Sequence, residues 1–119
     1  MNLKECYEAF NGDYDGVLGR MRSEALVRKF VLKFADDPNF NALQIALDGR
    51  NREDAFRAAH TIKGVCQNLG FTELQKSSEL LTSVLRVNLT DDCFAMMNQV
   101  AEDYRKIIKA VEELRNSAE

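Results

Sequence analysis

The sequence predicts an all-α fold, an antiparallel up-and-down four-helix bundle preceded by short capping helices, on three observations. Its 119 residues include one proline and six glycines, few breakers for a fold built on tight turns. No run of alternating apolar and polar residues marks a strand. Apolar residues instead recur every three or four positions in segments joined by short connections, and short connections make consecutive helices antiparallel neighbours.

Leu3 to Phe10 reads as a short helix with Leu3, Tyr7 and Phe10 on one side, ended by Asn11-Gly12. Asp13 is the expected N-cap of a second, in which Tyr14, Val17, Leu18 and Met21 repeat at helical spacing. Together these capping helices, residues 1–22, are expected to close one end of the bundle. Ser23-Glu24 opens the first bundle segment, where Leu26, Phe30 and Phe34, then Phe40, Leu43 and Leu47, hold nearly one helical phase across Pro38. A proline removes one helical hydrogen bond and crowds the turn before it, yet it also suits the first turn of a new helix. Both arrangements are open: one kinked helix from Ser23 to Leu47, or two abutting helices. Gly49 then ends the segment and Asn51 caps the next.

That next helix runs from Arg52 to Leu69 and stops at Gly70, a C′ glycine. Thr72 with Gln75 three residues on resembles a capping box, opening a helix to Arg86 whose Leu74, Leu81, Val84 and Leu85 face inward. After a turn at Asn88-Leu89-Thr90, Asp91 and Asp92 put negative charge at the start of a final helix, where it is favoured. Its stripe is Phe94, Met97, Val100, Ala101, Tyr104, Ile107, Ile108, Val111 and Leu114, and the end from Asn116 to Glu119 is expected to fray. The chain thus reads as one domain over residues 1–119, with the bundle at 23–116 in segments 23–48, 52–69, 72–86 and 90–115. Such a bundle buries its own stripes, so a monomer is expected.

A net charge of −3 argues against nucleic acid or an anionic membrane as the main partner. The start, Met1-Asn2-Leu3-Lys4-Glu5-Cys6, has no apolar signal-peptide core, and no stretch approaches the ~20 apolar residues of a membrane span. Cys6, Cys66 and Cys93 are odd in number, with no Cys-x-x-Cys pair. They read as reduced thiols packed between helices of a cytoplasmic protein. One histidine and three scattered cysteines make no zinc site, and the length leaves no room for an ATP-binding kinase domain.

The chemistry gathers between Ala58 and Gly70, around the only histidine, His60. At about 100° per residue, Ala55, Ala58, Ala59, Ile62, Val65, Cys66 and Leu69 share one broad apolar side. His60 points the other way, with Phe56 one turn before it and Lys63, Gly64 and Gln67 one and two turns after. A glycine inside a helix costs about 1 kcal/mol relative to alanine. Were it there for a close helix crossing, it would lie on the buried side. On the open side it gives clearance beside the imidazole. A nucleophilic nitrogen, a nearby ammonium and open space suit a phosphoryl group, whose transfer depends on positioning and charge neutralisation.

The run His60-Thr61-Ile62-Lys63-Gly64, with Leu69-Gly70 closing the helix, resembles the signature of histidine-containing phosphotransfer (HPt) domains. The flanking helices extend the likeness over nearly the whole chain, as in stand-alone members. Val65-Cys66 replaces the serine or alanine often found after the glycine, and both lie toward the core, where they alter packing more than chemistry. The resemblance implies a phosphocarrier in a multistep phosphorelay, not an enzyme. His60 takes a phosphoryl group from the aspartyl phosphate of one receiver domain and gives it to another, modified at Nε2 as in the family. Lys63 steadies the phosphoryl oxygens, Gly64 gives access, and Gln67 either donates a hydrogen bond or is an ordinary solvated residue. Phe56 is a docking contact unless it folds against its neighbour helix. Arg50, Arg52 and Arg57 either steer an acidic receiver or keep a soluble charged face. No cofactor is expected on this chain, because Mg²⁺ belongs to the receiver. Two other readings share the same residues: a helical adaptor that binds through the His60 face without accepting phosphate, and the acceptor fragment of a larger sensor kinase.

Overall fold

Short polar side chains set most helix starts in the computed structural model, which describes residues 1–117. The described residues form seven helices and no strand: α1 Leu3–Ala9, α2 Tyr14–Met21, α3 Glu24–Phe34, α4 Asn39–Asp48, α5 Arg52–Leu69, α6 Thr72–Leu85 and α7 Asp92–Arg115. Asp13, Ser23 and Asn51 cap α2, α3 and α5 as their sequence positions predict, each side chain accepting from a backbone N–H in the first turn. Asn2 and Glu5 add a capping box on α1, which the sequence reading did not contain. The expected box at Thr72 and Gln75 does not form. The buried Phe71 takes the N-cap position of α6, Thr72 becomes its first residue, and the Thr72 hydroxyl turns back to the Gly70 carbonyl at 3.4 Å.

The chain around Pro38 resolves into two helices. Asp37 accepts from both the backbone and the side-chain N–H of Asn39, at 2.8 and 2.7 Å, so α4 starts with one of its orphan donors satisfied. The break also uncouples the two faces. Within α3, Val27, Val31 and Phe34 turn inward, while Leu26 and Phe30 remain 38% and 37% exposed. The single stripe drawn through Leu26 and Phe30 is therefore corrected: a continuous helix must keep one phase, but α3 selects its own face and α4 buries Leu43, Ala46 and Leu47.

Successive legs pack as antiparallel neighbours, α4 on α5, α5 on α6 and α6 on α7, while α3 touches α5 and α7 and closes the ring. The result is a four-helix bundle whose first leg is split. Its core includes most of the predicted stripes of α6 and α7. Three hydroxyls are buried with them on α6, and Ser77, Ser78 and Thr82 each bond back to a carbonyl of their own helix. Asp103, also buried, accepts from Gln99 at 3.0 Å.

The capping helices fix the end of α5. Gly70 has φ of +72°, and a Cβ there would stand 2.6 Å from the Asp13 carbonyl oxygen, so only glycine fits. The Tyr7 hydroxyl donates to the Leu69 carbonyl at 2.6 Å and the Asp13 N–H to that of Gly70 at 2.8 Å. Arg20 donates to the carbonyls of Gln67 and Asn68 at 3.2 and 2.9 Å. Because α5 has no basic residue in its last turn, Arg20 supplies the positive charge that a helix C-terminus favours. At the far end, Asn116 continues the last turn and the Ser117 hydroxyl accepts from the N-terminal amine at 2.9 Å. For Ala118 and Glu119 the expected fraying lies outside the described residues.

All three cysteines are free and buried. Burial pushes the Cys6 thiol from 9.0 up to about 11, with Glu113 adding to the rise and Arg28 opposing it. Cys66 is raised as well, chiefly by burial and then by Asp37. A thiol whose pKa is raised on folding stabilises the fold fully below its unfolded pKa, and that contribution is lost as pH climbs through the folded value. Urea midpoints measured by circular dichroism are therefore expected to fall between pH 9 and 11, and Cys6→Ala is expected to flatten that slope.

Candidate functional site

The site is a surface of α5. Ala55, Ala58, Ala59, Ile62, Cys66 and Leu69 are buried, and the three alanines let α4 and α6 close against the helix with little side chain between. His60, Gly64 and Gln67 are exposed on the opposite face, and Lys63 is half-buried at its edge. An ideal Cβ on Gly64 meets nothing within 4 Å, so this glycine borders open space, as its position on the helix implies. Thr61 takes no part in the face, since its hydroxyl donates to the Arg57 carbonyl at 2.9 Å.

The imidazole is not isolated. Phe56 lies parallel to it, with ring centroids 5.8 Å apart and planes at 13°. Phe56 is itself half-buried against the core, and the Arg86 guanidinium covers its ring with Cζ 5.1 Å from the centroid. Phe56 is thus a covered ring rather than a projecting one. Arg86 was missed in the sequence, although a signal existed: α5 and α6 are antiparallel about Gly70, so a residue sixteen past the turn returns beside the first turns of α5.

The other arginines have internal partners. Arg52 donates to the carbonyls of Leu85 at 2.8 Å and Arg86 at 3.4 Å, tying the start of α5 to the end of α6. Its guanidinium is therefore turned along the helix pair. Arg57 stays exposed beside Glu53 and Asp54 at 3.7 and 3.8 Å, pairs too solvated to contribute much stability. Arg50 reaches Asp91 at 3.4 Å and lies over Phe94.

Two clefts flank the helix and neither contains His60. One, of about 620 Å³, lies between α4 and α5 beside Ala58 and Thr61; the other, of about 450 Å³, is lined by Met21, Phe30, Phe34, Pro38, Val65 and Leu69. A small-molecule site is a concavity that encloses its ligand. An imidazole on a convex helix instead suits a partner that brings the rest of the site with it. Among the described residues no three His, Cys, Asp or Glu side chains gather to hold a metal ion, and no helix is long and apolar enough to cross a membrane.

The Hpt domain family model matches residues 26–117, which span every helix of the bundle. The chain belongs to the Hpt domain family. That membership implies histidine phosphotransfer within a phosphorelay, exchanged with receiver domains by a phosphocarrier rather than a catalytic enzyme. No curated protein and no solved structure matches the chain.

Proposed function

We propose that His60 is the residue that carries the phosphoryl group, accepting it from a receiver-domain aspartyl phosphate and passing it to a second receiver. The observation that carries this reading is an exposed imidazole on a convex helix face, one turn from a glycine whose missing side chain leaves open space. In the forward step the lone pair of the exposed ring nitrogen attacks phosphorus in line. The bond from phosphorus to the aspartyl oxygen breaks, and the carboxylate leaves with the electron pair. An imidazole suits both acceptance and release, since its ring nitrogen offers a lone pair to phosphorus and the P–N bond it forms is labile enough to pass the group on. Lys63 neutralises part of the charge that arrives, Gln67 is within two turns of the ring to donate a hydrogen bond, and Gly64 admits the partner. Mg²⁺ acts from the receiver, whose acidic residues hold it.

Intact-protein mass after mixing with a panel of phosphorylated receiver domains tests the reading. One added phosphoryl group, lost on brief acid treatment as a phosphohistidine is, is the expected result. A receiver that binds the chain and transfers nothing, across the whole panel, would favour the adaptor instead.

A further inference from the structure

The cleft that contains Phe30 opens where α2, α3 and the break before α4 meet α5, with Met21, Phe30, Phe34, Pro38, Val65 and Leu69 as its apolar walls. At about 450 Å³ it falls within the range of small-molecule sites. Phe34 and Leu69 are buried at its base, while Phe30 stays 37% exposed in its wall. Three charged side chains line the same space: Lys33, Asp36 and Asp37. Asp36 is paired with Arg115 at 3.8 Å. Asp37 gives Oδ1 to both donors of Asn39, and among the described residues its Oδ2 accepts no hydrogen bond. The exposed Lys33 ammonium has no ion pair among them either. The cleft therefore sets one free cation and one free carboxylate oxygen beside two aromatic rings.

We propose that this cleft binds a free α-amino acid with an aromatic side chain. Charges of both signs call for a zwitterion. Its carboxylate pairs with Lys33, its ammonium with Asp37 Oδ2, and its ring lies among Phe30, Phe34 and Met21. Rings favour edge-to-face and offset contacts with other rings, and a thioether adapts its shape to a ring edge. Lys33 and Asp37 flank the end of α3 only four positions apart, so one bend of the chain supplies both partners of the head group. A ligand with a single charge forfeits one charge-assisted hydrogen bond and leaves the opposite charge of the cleft unanswered. Asn68, one turn past Gly64, also lines the cleft. The bound amino acid thus touches the helix that carries His60, on the side where Gly64 leaves open space.

The site is separate from the phosphoryl chemistry, and binding is read on the whole unphosphorylated chain labelled with ¹⁵N. The probes are L-phenylalanine, 2-phenylethylamine and 3-phenylpropionate, which carry both charges, the cation alone and the anion alone. Saturable amide shifts centred on Met21, Phe30, Lys33, Val65 and Asn68 are expected, with L-phenylalanine bound about tenfold more tightly than either other probe. Lys33→Gln is expected to weaken L-phenylalanine about tenfold without weakening 2-phenylethylamine. Asp37→Asn keeps the oxygen that accepts from Asn39 and is expected to weaken L-phenylalanine without weakening 3-phenylpropionate, both variants melting with the wild type. Equal affinity for the three probes, no saturable shift with any of them, or shifts gathered at the cleft between α4 and α5 would each overturn the inference. A receiver domain that shifts these amides when no probe does would assign the cleft to a protein partner and overturn it as well.

Discussion

His60→Gln is expected to abolish phosphoryl loading completely while leaving the melting temperature within about 2 °C of the wild type. The two halves of that result have separate physical causes. The side chain is exposed on the outer face of α5, contacts Phe56 by stacking alone and supports no buried partner, so its loss opens no cavity. Glutamine keeps the polarity and forms helix at least as well. It has no basic nitrogen lone pair, however, and an amide does not attack phosphorus. Intact mass and circular dichroism on the same sample read both halves. Receiver binding separates the readings further. An adaptor that uses this face without accepting phosphate predicts that His60→Gln retains both binding and output. The phosphocarrier predicts that binding survives and transfer does not. Loading that persists in His60→Gln would place the acceptor elsewhere on the chain and remove His60 from the site.

What was legible in the sequence was local. Asp13, Ser23, Asn51 and Gly70 mark helix ends because each satisfies, or permits, a backbone geometry within a few residues of itself. The exposed placement of His60, Gly64 and Gln67 followed from helical period alone, since the opposite side of α5 is apolar from Ala55 to Leu69, about four turns. Errors arose where a distant contact outweighed a local preference. Thr72 has the right residue type for a cap, but Phe71 packs edge-on against both Phe10 and Phe34, and burying that ring sets where α6 begins. Leu26 and Phe30 fit a stripe drawn through Pro38, yet the break frees α3 to bury Val27 and Val31 instead. Neither Phe71's neighbours nor the face of α3 is written in a window of ten residues.

The candidate site shows the same division. His60, Gly64 and Gln67 lie where the wheel puts them, Phe56, Lys63 and Val65 are half-buried, and the contacts of Arg86 and Arg52 depend on how α5 and α6 align. The hold of the capping helices on the last turn of α5, through Tyr7, Asp13 and Arg20, spans 47 to 62 positions for its side-chain bonds. Pattern reading assigns those helices to an end of the bundle and stops there. The contacts say which end, and therefore that residues outside the matched family span brace the helix carrying His60.

Gly64→Ala is expected to raise stability and Gly64→Gln to raise it less while nearly stopping transfer, two effects of opposite sign from one position. Alanine in an exposed helix interior is favoured over glycine by about 0.5–1 kcal/mol. Nothing within 4 Å of the new Cβ opposes that gain, so the midpoint of thermal unfolding is expected to rise by about 2–4 °C. Transfer responds to the other property of the site. Residues four apart on a helix are neighbours, and a long helical side chain lies back over the turn before its own Cα. A side chain at position 64 therefore lies over His60, in the space a phosphorylated partner must enter. With alanine the intrusion is one methyl group; with glutamine it covers the ring, and a loss of about a hundredfold in transfer rate is expected from displaced reacting atoms. Stopped-flow transfer from a phosphorylated receiver, measured beside the melting curves, separates the causes. If glycine were incidental, Gly64→Gln would be stabler and transfer as fast as the wild type. A glycine that costs stability and is needed only for approach yields the crossed result, because the fold prefers any side chain there and the chemistry prefers none.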